Sequence, residues 1–484
     1  MQPAGGRAAG IAVALSTRMR IWILACCVAL VACAPPAAEQ IGASDDAGED
    51  AAEPPQLPPC PAPGPATFQF DPAAIVATDL VGFGAQFNGN AYAQISVDAG
   101  LTPENVVELE TKALALAPRH VRIFWNSTGT PDQTASFERV VELAERAGAS
   151  INVTYWHGPY PDPSGQMLGF SNELVRLVKD LGRKSVRYVT IQNEVNSTMV
   201  TQPLYEQLCR ELDANLRTAG VRDQIKFICG DLLRDGQRSW FEYMAMHMTD
   251  LCDGYSVHIY WNFFDVAYMV ERLTEVRDLV VGLPASARRP IYITEFGVRG
   301  NRPNDEPAPG LYSDGQLLGR TNENAFQHAW FNVLATRLGY VSTLKWDAFY
   351  AKYDQGTQYY SAIGTPPAYI LKPVYYATQL FTRTVEPGWS SVRVAGGTGD
   401  SDARLLTAFA GPRGDATVIA LNKADTARQV DVTGLPPGTP LQLRVWRGNG
   451  DGGVTTTSVT TTAACQITFT VPPRSAAAVT TLTE

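Results

Sequence analysis

From about residue 80 to residue 385, short runs of apolar and β-branched residues alternate with longer runs whose apolar positions recur every three or four residues. The first pattern is that of strands buried on both faces and the second that of amphipathic helices, so their alternation predicts βα units and a parallel sheet. Eight strands are predicted: VGFGAQFN (81–88), HVRIFWN (120–126), INVTYW (151–156), VRYVTIQNE (186–194), IKFICGD (225–231), GYSVHIYW (254–261), PIYITEFG (290–297) and STLKWDAFY (342–350). Thr102-Pro103 has the N-cap and first-turn proline of a helix start, and the run 136–149 closes on a glycine. Residues 204–222, 266–281, 322–338 and 371–384 carry the same helical period. These repeats predict an α/β fold, a closed (β/α)8 TIM barrel over residues 67–387, with a doubly wound sheet as the alternative topology.

After residue 388 the helical period disappears. Short alternating runs such as ARLLTAFAG, ATVIALNK and QITFTVP, split by Gly, Pro and Asp, predict a C-terminal antiparallel β-sandwich over 388–484. Residues 67–75 are a candidate extra strand for it.

The first 66 residues follow neither pattern. Arg18 and Arg20 precede an apolar run from Ile21 to Ala32, too short to span a bilayer comfortably, which reads as a signal peptide over 1–32. It ends in Leu30-Val31-Ala32-Cys33, which resembles a bacterial lipobox, so Cys33 is the expected lipidation site and first mature residue. Ala34 after that cysteine favours the outer membrane or cell surface for an exported lipoprotein. Residues 34–66 hold nine prolines and six acids with no basic or aromatic side chain, a composition that cannot bury enough apolar surface to fold, and 33–66 are read as a tether.

Removing residues 1–32, which carry Arg7, Arg18 and Arg20 and no acid, takes the formal charge from −9 to −12. That balance argues against nucleic acid as a partner and leaves a lipid anchor as the only membrane contact. Past Cys33 the cysteines are Cys60, Cys209, Cys229, Cys252 and Cys465, an odd set that cannot all pair; Cys60 with Cys465 is a candidate clasp by position. No Cys/His spacing suggests zinc, and no His-x-His follows the first strand, so neither metal nor cofactor is expected.

Two predicted strands end in carboxylates: the fourth in Gln192-Asn193-Glu194, the seventh in Thr294-Glu295-Phe296-Gly297. Barrel enzymes keep their chemistry at the C-terminal strand ends, so an acid closing an otherwise apolar strand faces the barrel mouth. Asn-Glu after strand four and Glu in strand seven resemble glycoside hydrolase clan A. With the terminal sandwich the chain is similar to families 39, 30, 51 and 79 of such retaining TIM-barrel enzymes. The resemblance implies that Glu194 is the acid/base and Glu295 the nucleophile of a double displacement on a carbohydrate.

It further implies that Arg122 keeps Glu295 ionised, that Tyr260 hydrogen-bonds it, and that Asn193 donates to the sugar 2-hydroxyl. His258 lies two residues before Tyr260 on the same strand face, His157 follows strand three within reach of a sugar hydroxyl, and Trp346 offers an aromatic platform for the sugar. Glu194, flanked by Asn193, is expected to hold its proton near neutral pH. Gln86, Asn88 and Asn126 are weaker candidates, and Asp231 and Asp347 read as helix caps or structural pairs. Many clan members have proline after the strand-four glutamate where this chain has Val195, which leaves the family within the clan open. Two other functions fit the same residues: a surface carbohydrate-binding lipoprotein without turnover, and a retaining transglycosylase.

Overall fold

The computed structural model describes residues 60, 67–156, 162–299, 318–349, 360–364, 369–396, 404–448 and 453–483. The signal segment, Cys33, the tether up to residue 59 and His157 lie outside the described residues. Among the described residues no helix is long and apolar enough to cross a membrane.

Strand β1 (Phe68–Ala77) precedes eight parallel strands: β2 (Gly82–Phe87), β3 (His120–Asn126), β4 (Ser150–Trp156), β5 (Val186–Thr190), β6 (Lys226–Leu232), β7 (Gly254–Asn262), β8 (Ile291–Arg299) and β9 (Tyr340–Lys345). They close into a barrel, with β9 pairing back to β2 at Gly84 and Leu344. Alternation along each strand divides the labour. Val121, Ile123, Ile151 and Val153 are fully buried among apolar neighbours, whereas Arg122, Asn152 and Thr154, at the intervening positions, form a buried polar set. Several helices open on a threonine N-cap followed by proline, as at Thr102-Pro103 and Thr130-Pro131, where the threonine and the third helical residue cap each other's backbone N–H groups.

The remaining strands, β10 (Ser390–Gly396), β11 (Arg404–Ala410), β12 (Ala416–Asn422), β13 (Arg428–Thr433), β14 (Pro440–Trp446), β15 (Val454–Thr460), β16 (Gln466–Val471) and β17 (Ser475–Thr480), join β1 in one sheet ordered β15-β14-β17-β12-β11-β10-β1-β13-β16. The sheet curls over its own apolar core of Phe68, Phe70, Val418, Val430, Ile467 and Phe469. All its pairings are antiparallel except β1 with β13, which run parallel at Phe68–Val432. The exception follows from chain order, because β1 arrives from before the barrel and fills a gap between β10 and β13.

β11 and β12 are buried on both faces. Leu406, Ala408, Val418 and Ala420 face the sheet's own core, while Leu405, Phe409, Ile419 and Leu421 belong to the barrel core. Thr336, in the helix Asn322–Arg337, shares a 2.9 Å hydrogen bond with Thr407, and Thr417 donates to the Thr384 carbonyl at 2.6 Å. Disulfides join Cys60 to Cys465 and Cys229 to Cys252, and Cys209 is a buried free thiol.

Candidate active site

Arg122 points into the barrel and has no solvent exposure. A buried guanidinium is tolerated only when its N–H groups are all answered and its charge is matched. Nε donates to Thr154 Oγ1 at 2.9 Å, Nη1 to Glu295 Oε2 at 2.7 Å and, more weakly, to Gln86 Oε1 at 3.4 Å, and Nη2 to Asn193 Oδ1 at 2.6 Å and to Asp231 Oδ2. Its face rests on the Phe124 ring, 4.5 Å from the centroid. Because Arg122 can only donate, Asn193 Oδ1 is fixed as the acceptor and the amide N–H groups are left to face elsewhere.

Glu295 is nearly buried, and Tyr260 donates to its second oxygen, Oε1, at 2.6 Å. The β7–β8 register slips between Val257 and His258, which brings His258 level with Glu295. Burial and the Glu295 charge push the Tyr260 phenol well above its ordinary range, so it remains a donor.

Glu194 sits differently from the expected strand end. β5 stops at Thr190, and Gln192 (φ 67°) and Glu194 (φ 49°) take left-handed conformations that cannot continue a ladder. Each costs about 1–3 kcal/mol and persists because surrounding contacts over-determine it. Here Ser197 N donates to the Glu194 carbonyl at 2.8 Å, and Asn196 exchanges hydrogen bonds with Leu233, donating at 2.9 Å and accepting at 2.9 Å. The turn aims the Glu194 carboxylate at His258, whose Nδ1 lies 3.1 Å from Oε1. The other ring nitrogen, Nε2, is 3.5 Å from Asp231 Oδ2, a charge contact without hydrogen-bond alignment.

Burial alone would lower the His258 pKa, but the charges of Glu295 and Asp231 and the bond to Glu194 outweigh it and raise it to about 9. Burial likewise raises the Glu194 carboxyl, yet the His258 hydrogen bond and the His258 and Arg122 charges leave it below its ordinary value. The expectation that Glu194 itself holds a proton near neutral pH is therefore corrected. The proton of this pair rests on His258 Nδ1, one hydrogen bond from Glu194.

Of the two readings of Asp231, helix cap or structural pair, the structure shows the pair. The following helix, Gln237–His247, begins at Gly236, and the Asp231 carboxylate instead turns inward to Arg122 and to Thr294 Oγ1, which donates at 2.5 Å. Burial opposes its charge, but Arg122 and His258 hold it far below the usual carboxylate range. Its sequence signal, an acid closing the apolar run IKFICGD, is the one that singled out Glu194 and Glu295.

Trp346 is buried at the end of β9 with its ring centroid 5.9 Å from that of Phe124, which stacks in turn on Trp156 at 5.5 Å. A recess of about 30 Å³ lined by Asn88, Phe124, Asn126, Gln133 and Trp156 opens beside this aromatic row, large enough for a water or a small sugar substituent. Asn88 Nδ2 is buried there without a protein partner, as is Gln86 Nε2 on the strand before it. Asp347 is fully buried near Lys345 and Lys372, and burial together with the Glu295 charge pushes its carboxyl up to about 7 against the pull of the two lysines. A wider groove of about 600 Å³ lies between Pro290, at the barrel's N-terminal end, and Val392 of β10; arginines line it, and it has no carboxylate.

Glu194, His258 and Glu295 bring one ligand atom each within 4.8 Å of the others, a spacing that admits a cation. Without a cation, the same three groups are already held by protein contacts: Arg122 and Tyr260 donate to the two Glu295 oxygens, and His258 Nδ1 lies against Glu194.

No family model matches the sequence, and no curated protein matches it. The fold does match solved structures, and the neighbours are clan A glycoside hydrolases. A GH30 endoxylanase from Clostridium papyrosolvens C71 superposes with a TM-score of 0.63 at 12% identity, covering 86% of this chain and 99% of its own. The catalytic domain of GH30 xylanase C from Talaromyces cellulolyticus gives 0.63 at 13% identity, with coverage of 86% and 100%. A family 51 α-L-arabinofuranosidase from Bifidobacterium longum gives 0.58 at 11%, with coverage of 86% and 99%.

Proposed function

We propose that this protein is a retaining glycoside hydrolase. The observation that carries the reading is the pair of carboxylates at the barrel mouth, each placing one oxygen within 4.8 Å of one of the other's, in unlike surroundings, Glu295 gripped by Arg122 and Tyr260 and Glu194 paired with His258. Retaining enzymes hold their two carboxyl groups about 5–5.5 Å apart, inverting ones about 6.5–9.5 Å, and a direct attack needs the shorter spacing. The glycoside hydrolases that share the fold supply the substrate class.

Glu295 attacks the anomeric carbon as the glycosidic C–O bond breaks. The proton for the departing oxygen comes from the Glu194–His258 pair, Glu194 touching the oxygen and His258 Nδ1 replenishing it. The glycosyl ester on Glu295 is then cleaved by a water whose proton returns to the same pair. Asn193, oriented by Arg122, donates to the sugar, and Trp346 forms its apolar wall.

The test is a screen of the purified protein against aryl β-glycosides and polysaccharides, followed by NMR of the first-formed anomer. Retention of configuration, with turnover abolished in Glu295→Ala, is the expected outcome. An inverted product, or equal oligosaccharide binding without turnover by wild type, Glu194→Ala and Glu295→Ala, would overturn it.

We further propose that the chain is exported and lipid-anchored through Cys33. Its two disulfides support an oxidising compartment. Metabolic labelling with a fatty acid, lost in Cys33→Ala, checks the anchor.

A further inference from the structure

On the glycosidase reading proposed above, on which this inference rests, we infer that Asp231 is the positioning residue for both catalytic carboxylates: it holds Arg122 against Glu295 and keeps His258 charged against Glu194. Asp231 touches neither glutamate. Its carboxylate lies between the two cations that do, accepting from Arg122 Nη2 through Oδ2, with His258 Nε2 at 3.5 Å from the same oxygen and Thr294 Oγ1 donating to Oδ1 at 2.5 Å. Arg122 then reaches Glu295 through Nη1, and His258 reaches Glu194 through Nδ1.

The local backbone is built to deliver this side chain. Gly230 has φ +122° and Asp231 φ +54°, and the β6–β7 register is broken between Cys229 and Leu232, so the chain bulges inward at this residue. A Cβ at Gly230 would come within 2.6 Å of the Ser256 carbonyl oxygen, which leaves glycine as the residue that fits. Asp231 N donates to Ser256 Oγ at 2.7 Å, and the Cys229–Cys252 disulfide fixes the strand two residues earlier. Left-handed backbone at a non-glycine residue costs about 1–3 kcal/mol and persists where the surroundings impose it.

The charges facing His258 are the acids Glu194 after β5, Asp231 of β6 and Glu295 of β8, with Arg122 of β3 ion-paired to Asp231 and Glu295 behind them. Three anions outnumber two cations while His258 is protonated, a surplus of one negative charge that favours the proton. Removing Asp231 leaves two and two, so the proton on the Glu194–His258 pair is held less tightly and is lost at lower pH. Glycosylation needs that proton, so its loss sets the alkaline limb of activity.

The experiment compares wild type with Asp231→Asn, which keeps the shape and removes the charge. For the variant, the expected result is an alkaline limb of kcat/KM moved by about one pH unit or more toward acid, with kcat lowered about 10- to 100-fold and KM nearly unchanged. A purely structural role would lower activity alike at all pH values and leave the limb in place, which overturns the inference. ¹⁵N NMR titration of His258, one of five histidines, needs no substrate and separates this inference from the glycosidase reading. His258 should titrate near pH 9 in wild type and lower in Asp231→Asn. If Asp231→Asn fails to fold, wild type still decides, because a His258 neutral at pH 7 refutes the inference. A normal titration shift without any turnover would instead refute the glycosidase reading alone.

Discussion

Arg122 gathers acceptors from five places in the barrel wall: Gln86 of β2, Thr154 of β4, Asn193 after β5, Asp231 of β6 and Glu295 of β8. It orients the site and also holds together two carboxylates that would repel each other in its absence. Arg122→Met should leave both buried anions uncompensated and cost about 3–5 kcal/mol of stability, read as a lowered urea midpoint. An unchanged midpoint would mean that water or a proton takes over the role of the guanidinium.

His258 gives the site a pH signature. Its folded pKa is raised, to about 9, above the unfolded value of about 6.5. The stabilisation it brings is therefore complete below about pH 6.5 and lost as pH rises through about 9. Wild type should lose roughly 3 kcal/mol across that window relative to His258→Gln, measured by chemical denaturation at several pH values. Parallel stability curves would refute the charge assigned to His258.

Among the secondary-structure elements, the barrel strands were legible because their apolar runs are continuous and the helices between them carry a clear period. The close of β5 was less so. QNEVNS contains no glycine to mark the left-handed turn, and its conformation is imposed by Asn196 bonding to Leu233 across the loop after β6. The same limit applies to the site. The strand-end rule found Glu194 and Glu295, and the resemblance to clan A added Arg122, Asn193, His258 and Tyr260 one by one, but which of them share a proton or a charge depends on strand register. Asp231 carried the strand-end signal too, but an acid at such a loop reads equally as a helix cap or a structural pair, and only the fold shows that its partner is Arg122. The bulge that places it should be sensitive: Gly230→Ala is expected to cost about 1–3 kcal/mol, read as a drop in melting temperature, since it combines a positive φ with a close carbonyl. A neutral substitution would show that the bulge relaxes freely.

Over the whole molecule, the alternation in LLTAFA and ATVIALN hides two interfaces in one strand pair, the sheet's own core and the barrel. Sequence pattern alone marks such strands only as nearly continuous apolar runs. A chain cut at residue 387 should therefore strip the sheet from Phe83, whose ring meets that of Phe409 at 6.0 Å, and aggregate, while the intact chain should melt in a single calorimetric transition. Two separated endotherms would show that barrel and sheet fold independently.

The position of β1 also sets an order of events. Phe68 and Phe70 leave the ribosome first, yet their partners in β10 begin at residue 390 and those in β13 near residue 430. Throughout barrel formation this apolar strand waits without a sheet, and sulfur pairing between Cys60 and Cys465 waits with it. The bridge is thus a seal applied at the end of maturation: an alkylating reagent should find Cys60 reactive in every unfinished molecule and closed in every finished one.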